Sequence, residues 1–137
     1  MSVDRWLIME TLNSYAWGYD QNDMQLMGNS FTEDAFLSME KANGEVYEPS
    51  VGRDAIVTML GDIRKSQSDQ RRHCISNFIF NKIDENSAQV ISYLVVTAAE
   101  NNELKLATSG KYTDELVKEK DGQWRIKKKH IFLDVSF

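Results

Sequence analysis

One cysteine in 137 residues, Cys74, cannot close an internal disulfide, and no Cys/His spacing resembles a zinc site. The sequence therefore predicts no structural metal and a reducing, cytoplasmic setting. Positive charge is also in deficit. Sixteen Lys and Arg against twenty-one Asp and Glu leave a formal charge of −5, which repels a phosphate backbone, so nucleic acid is not an expected partner. No apolar run is long enough to span a bilayer, and Met1-Ser2-Val3-Asp4-Arg5-Trp6 has no basic stretch leading into an apolar one, so neither a membrane nor a secretion leader is expected. Proline occurs once, at Pro49, and no linker, repeat or low-complexity stretch breaks the chain. Its length suits one core and not two, which predicts a single domain over 1–137.

The first half is helical in period. From Val3 to Tyr19 the residues Leu7, Ile8, Leu12, Tyr15, Ala16 and Tyr19 recur at the three-to-four spacing of one buried helix face. Asn22 or Asp23 caps a short second helix carrying Met24, Leu26 and Met27. Thr32-Glu33-Asp34 reads as a turn, Ala35 to Met39 as a strand, Asn43-Gly44 as a hairpin turn and Glu45 to Tyr47 as its return. Asp54, Ile56, Val57, Leu60 and Ile63 mark a third helix ending near Lys65. Then the period changes to two. Residues 72–83, 88–99, 105–118 and 123–135 are rich in Ile, Val, Phe, Tyr and Thr and are joined by short polar turns, which predicts consecutive hairpins of an antiparallel sheet. The class is α+β, with the N-terminal helices packed on a strongly curved antiparallel sheet to make a cone-shaped barrel.

One set of residues has the chemistry of an acid–base site. A carboxylate at Asp20 can orient an imidazole at His73, and the phenol of Tyr15 can donate to a substrate oxygen, a combination suited to removing a proton beside a carbonyl. Spacing alone does not bring the three together. Each also has a structural reading: Asp20 as a cap, His73 as a core histidine and Tyr15 as a packed phenol. On a straight strand His73, Ile75, Asn77 and Ile79 share one face and Cys74, Ser76, Phe78 and Phe80 the other, so Asn77 is a candidate neighbour of His73. Tyr19, Tyr93 and Tyr112 are candidates for lining a pocket or bonding a ligand. His130 is in register with Trp124, Ile126 and Phe132 if no bulge intervenes, and faces either the pocket or the outer surface. Arg71-Arg72 and Lys127-Lys128-Lys129 read as solvated sheet edge rather than an anion site.

Six segments together resemble a known group: residues 16–23 (AWGYDQND), 31–35 (FTEDA), 52–56 (GRDAI), 72–77 (RHCISN), 110–114 (GKYTD) and 122–126 (GQWRI). In order and spacing they are similar to the SnoaL-like branch of the nuclear-transport-factor-2-like superfamily. The resemblance implies a cone-shaped barrel, usually a homodimer or homotrimer, and among its enzymes lies nearest to scytalone dehydratase and bile-acid 7α-dehydratase, which need no cofactor. Their Asp–His pair falls on Asp20 and His73, and their tyrosines on Tyr15 and Tyr19. Where scytalone dehydratase has a second histidine this chain offers only Ala98 to Glu100, and where it has a further tyrosine this one has Met39. The expectation is a cofactor-independent dehydratase, isomerase or cyclase acting on a small apolar carbonyl compound, such as a polyketide or steroid-like ring. The alternatives are a non-catalytic cone that binds a ligand or buries Phe78 and Phe80 in a partner, and the small subunit of a ring-hydroxylating oxygenase.

Overall fold

The computed structural model describes residues 2–137. Helix α1 (Ser2–Asp20) is followed by α2 (Met24–Asn29), strands β1 (Phe31–Lys41) and β2 (Ser50–Val51), helix α3 (Arg53–Lys65), and strands β3 (Gln70–Ile83), β4 (Ser87–Glu100), β5 (Glu103–Lys118) and β6 (Trp124–Leu133). The six strands form one curved open sheet in the order β2-β1-β6-β5-β4-β3, with the helices on its concave side. All pairings are antiparallel except β1 with β6, which is parallel, so the sheet is mixed rather than the all-antiparallel one that short turns alone would give. Among the described residues no helix is long and apolar enough to cross a membrane.

Asp23 caps α2 through a 3.1 Å bond from the Leu26 amide, as its position before Met24 predicts. Ile8, Leu12, Tyr15, Ala16 and Tyr19 of α1 are buried, and they meet Val90, Leu94, Val96, Leu116, Ile126, Ile131 and Leu133 of the sheet in one core. Leu7 of the expected face stays exposed. Two polar ties fix the start of α1 on the sheet: the Trp124 indole N–H donates to Asp4 at 3.1 Å, and the Thr11 hydroxyl donates to the Trp124 carbonyl at 2.7 Å.

Two local expectations are corrected. Thr32-Glu33-Asp34 is not a turn but the first part of β1, where the pairing with β6 shifts register between Phe31 and Phe36. The polar residues there sit on an irregular strand rather than at a reversal. Residues 45–47 after the Asn43-Gly44 turn form a single bridge, Glu40 to Val46, and the paired return strand is Ser50–Val51, beyond Pro49.

The sheet curves through bulges, each of which adds one unpaired residue and reverses the inside–outside alternation. Asn77, with φ of 58°, marks one in β3; Ala107 is the extra residue in β5 and Lys127 in β6. After Asn77, Phe78 and Phe80 therefore turn inward against the core while Ile79 turns outward, the reverse of a straight strand. The phenylalanines that a partner was expected to cover are thus occupied within the fold.

Helices α1 and α2 meet at Gly18, where an added methyl would lie 2.5 Å from the Met27 nitrogen and 2.8 Å from the Asp23 carbonyl oxygen. Both obstacles are backbone and cannot swing away. Gly18→Ala is expected to cost roughly 1–3 kcal/mol or more, read as a lower urea midpoint with an unchanged slope. A midpoint equal to that of the wild type would show that the helix crossing is loose.

Candidate active site

Helix α1 ends at Asp20, and its last carbonyls are held from two sides. Arg64 of α3 donates to the Tyr19 and Asp20 carbonyls at 3.1 and 3.3 Å, and Gln70 of β3 donates to the Asp20 carbonyl at 3.1 Å. This anchoring aims the Asp20 side chain at the start of β3. One carboxylate oxygen accepts the His73 backbone N–H at 2.7 Å, and the other lies 2.6 Å from His73 Nδ1. Both oxygens are thereby committed to one residue, and the carboxylate plane is fixed. With Nδ1 held by Asp20, Nε2 is the ring nitrogen without a partner among the described residues, on a ring that lines the cavity and meets the edge of Tyr19 at 5.0 Å. The Asp20–His73 pair, which spacing could not establish, is present in the fold.

The cavity lies between α1, α3 and the concave sheet. Its volume is about 40 Å³, room for a few waters. Met39, Leu60, Ile63, Leu94, Val96 and Leu133 supply an apolar wall, and half-exposed Phe137 stands where the space meets solvent. The polar groups gather at two places. Tyr19, Gln67, Arg71 and His73 lie at one end, where the Tyr19 hydroxyl donates to the Gln67 amide oxygen at 2.8 Å. Tyr15 and Tyr112 form the second group, packed edge to face with ring centroids 6.0 Å apart. Burial pushes all three phenols up, Tyr19 to about 12 against the opposing charge of Arg71 and Arg64, and Tyr15 and Tyr112 further. At neutral pH they are therefore protonated hydrogen-bond donors.

Beneath the two inner tyrosines lies an ion pair whose lysine was expected on a solvated edge. The bulge at Lys127 turns Lys129 inward, where it is 0% exposed and donates to the equally buried Asp114 at 3.1 Å. Its ammonium lies 3.6 Å from the Tyr112 ring centroid and 4.3 Å from that of Tyr15. Burial raises the Asp114 carboxyl and lowers the Lys129 ammonium, and each partner's charge opposes the other's shift. One signal was available in the sequence: Asp114 lies between Tyr112 and Leu116 at strand period two, and a carboxylate in an apolar row needs a buried cation. Arg71 is a second correction. It is 9% exposed, on the same face of β3 as His73, and lines the cavity instead of a solvated edge; Arg72 is exposed as expected.

Of the other candidates, Tyr15, Tyr19 and Tyr112 line the cavity, but Asn77, Tyr93 and His130 do not. Asn77 occupies the bulge position itself and is exposed, beside Tyr93 on the convex face. His130 follows inward-facing Lys129 and so points outward, bonded to the Ser38 hydroxyl at 2.6 Å and the Glu40 carboxylate at 2.9 Å. Among the described residues no three His, Cys, Asp or Glu side chains come together to hold a metal ion.

Residues 2–130 match the SnoaL-like domain family. No functionally curated protein has a significantly similar sequence. Solved structures with the same architecture include a Mycobacterium tuberculosis protein of unknown function, at 26% identity over 96% of this chain and 72% of that one with a TM-score of 0.80. A proposed scytalone dehydratase from Novosphingobium aromaticivorans is 24% identical over 97% and 85%, with a TM-score of 0.79. The β subunit of a proposed aromatic-ring-hydroxylating dioxygenase from the same organism is 16% identical over 99% and 92%, with a TM-score of 0.84. At these distances the likeness establishes a shared fold, one that serves both enzymes and subunits.

Proposed function

Because this chain belongs to the SnoaL-like domain family, we propose that its cavity performs cofactor-independent acid–base chemistry on a small carbonyl compound, as a dehydratase or isomerase. The observation that carries the reading is the Asp20–His73 pair, in which both carboxylate oxygens serve one histidine whose ring lines a largely apolar cavity. Asp20 accepts the proton on Nδ1, leaving the Nε2 lone pair as the base. His73 takes the proton α to the carbonyl, the C–H electron pair becomes the C=C bond of an enolate as the C=O π pair moves onto oxygen, and Asp20 stabilises the imidazolium. Tyr15, a cavity-lining phenol that burial keeps protonated, donates to the developing oxyanion. In a dehydration the imidazolium proton leaves with the β-hydroxyl as water; in an isomerisation it returns to another carbon. The small volume favours compact substrates. Assembly as a homodimer or homotrimer, the family's habit, has a candidate surface in Ile79, Tyr93, Val95, Leu104 and Leu106, which are exposed together on the convex face.

The test is solvent deuterium exchange at the α-carbon of 4-hydroxybutan-2-one and of acetoacetate, followed by proton NMR. Catalysed, saturable exchange above background that disappears in His73→Ala is expected, with loss of the hydroxyl from the first compound if the enzyme is a hydro-lyase. Exchange that survives His73→Ala would end this mechanism.

A further inference from the structure

We infer that the ligand of this cavity carries a carboxylate, held by Arg71 and Gln67 at the end nearest Tyr19. The inference rests on the proposed acid–base reading for its location but concerns recognition, and it reverses the expectation that Arg71 is a solvated edge residue. Arg71 precedes His73 by two positions on β3, so the two side chains leave the strand on the same face. Its Nε and Nη2 donate to Asp69 at 2.7 and 3.4 Å, which orients the guanidinium; Nη1 has no partner among the described residues. Gln67 follows α3, and because its amide oxygen accepts the Tyr19 hydroxyl, its orientation is set and its NH₂ is the part left to offer. That nitrogen too has no partner among the described residues. Both side chains line the cavity beside His73.

Two side chains whose N–H donors are unengaged among the described residues, one of them charged, thus line the polar end of a space whose other walls are largely hydrocarbon. A neutral carbonyl would use one of them, whereas a carboxylate offers two oxygens, and charge-assisted bonds of this kind are about twice as strong as neutral ones. Asp69 neutralises part of the guanidinium charge, but from its Nε edge, leaving Nη1 free to donate to a ligand. Tyr19 is a neutral phenol at physiological pH and adds no opposing charge. The cavity's volume of about 40 Å³ favours a small ligand over a large one. The chemical class that satisfies all of these is a short oxo or hydroxy acid with its carboxylate on Arg71 and its acidic C–H beside His73.

The experiment compares acetoacetate with pentane-2,4-dione, which has the same number of heavy atoms but a methyl in place of the carboxylate oxygen, by titrating ¹⁵N-labelled protein and following the Arg71 Nε–H and backbone resonances. Acetoacetate is expected to bind roughly tenfold or more tightly, shifting the Arg71 side-chain signal. Arg71→Gln should erase the preference while Arg71→Lys keeps most of it, with amide dispersion in the same spectra confirming that each variant is folded. Equal affinities, a preference that persists in Arg71→Gln, or no saturable acetoacetate binding would overturn the inference. Binding is read without turnover, so the two ideas fail separately. Arg71-dependent binding without deuterium exchange would leave the carboxylate site standing and remove the acid–base reading, whereas exchange without charge preference would remove the carboxylate site alone.

Discussion

Asp20→Asn is expected to slow α-proton exchange by about two to four orders of magnitude while leaving ligand binding and fold in place. The reason is more specific than loss of a charge. In the wild type one oxygen of Asp20 accepts the His73 backbone N–H and the other faces Nδ1 of the same residue. The variant's amide must satisfy both positions, and only its oxygen can accept the backbone proton. Its NH₂ is therefore turned toward the ring and donates to Nδ1, which forces the imidazole proton onto Nε2, the nitrogen proposed to act as base. The variant should bind acetoacetate with nearly unchanged affinity and lose kcat, and the tautomer change should be directly visible in the ¹⁵N shifts of His73. An exchange rate within about fivefold of wild type would show that Asp20 holds the strand and not the chemistry.

Lys129→Met should cost about 3–5 kcal/mol of stability, the consequence of leaving Asp114 buried with no counter-charge. Burial already raises the Asp114 carboxyl in the intact pair, and removing the ammonium removes the interaction that opposes the rise. The direction with pH follows. A carboxyl whose folded pKa lies above its unfolded value contributes stability that is complete below the unfolded value and is lost as pH rises through the folded one. The variant should therefore be more stable at about pH 5 than at about pH 7.5 in urea denaturation, by a larger margin than the wild type. Adding Asp114→Leu to Lys129→Met should restore most of the stability, since a well-packed apolar pair frequently equals a buried ion pair. A single-variant loss under about 1 kcal/mol would mean that water reaches Asp114. The double variant also separates structure from catalysis, because it withdraws the ammonium from the Tyr15 and Tyr112 rings without leaving a charge behind.

The helices were legible in the sequence because their signals are local. The spacing of Ile8, Leu12, Tyr15 and Tyr19 finds the buried face of α1, and Asp23 announces α2. The α+β class and the boundaries of β3 to β5 could be read to within about two residues for the same reason. What escaped depends on counting across a strand. A single extra residue at Asn77 or Lys127 has no compositional mark, yet each reverses the parity of everything after it. Hence Phe78 and Lys129 moved inward, and Asn77 and His130 fell outside the cavity. Arg71 was hidden differently: nothing in a run of two arginines says that one is buried, and the end of α1 packed on β3 makes that end of the strand an interior. Asp20 and His73 were findable as residue types and by resemblance, but their meeting is a product of Arg64 and Gln70 gripping the end of α1, which no spacing rule contains.

The parallel contact between β1 and β6 also has a kinetic meaning. β1 is reached thirty residues into the chain, yet its long edge partner spans residues 124–133, and β2 gives it only two paired positions on the other side. Until β6 exists, β1 has almost nothing to zip against, while β3, β4 and β5 can assemble through their own tight turns. Closing so large a loop is entropically slow compared with forming a hairpin. The hairpin array should thus form first and the β1 side of the cone last, which makes the β1–β6 seam the step that sets the refolding rate and the place where an incompletely folded chain offers an open strand edge to its neighbours.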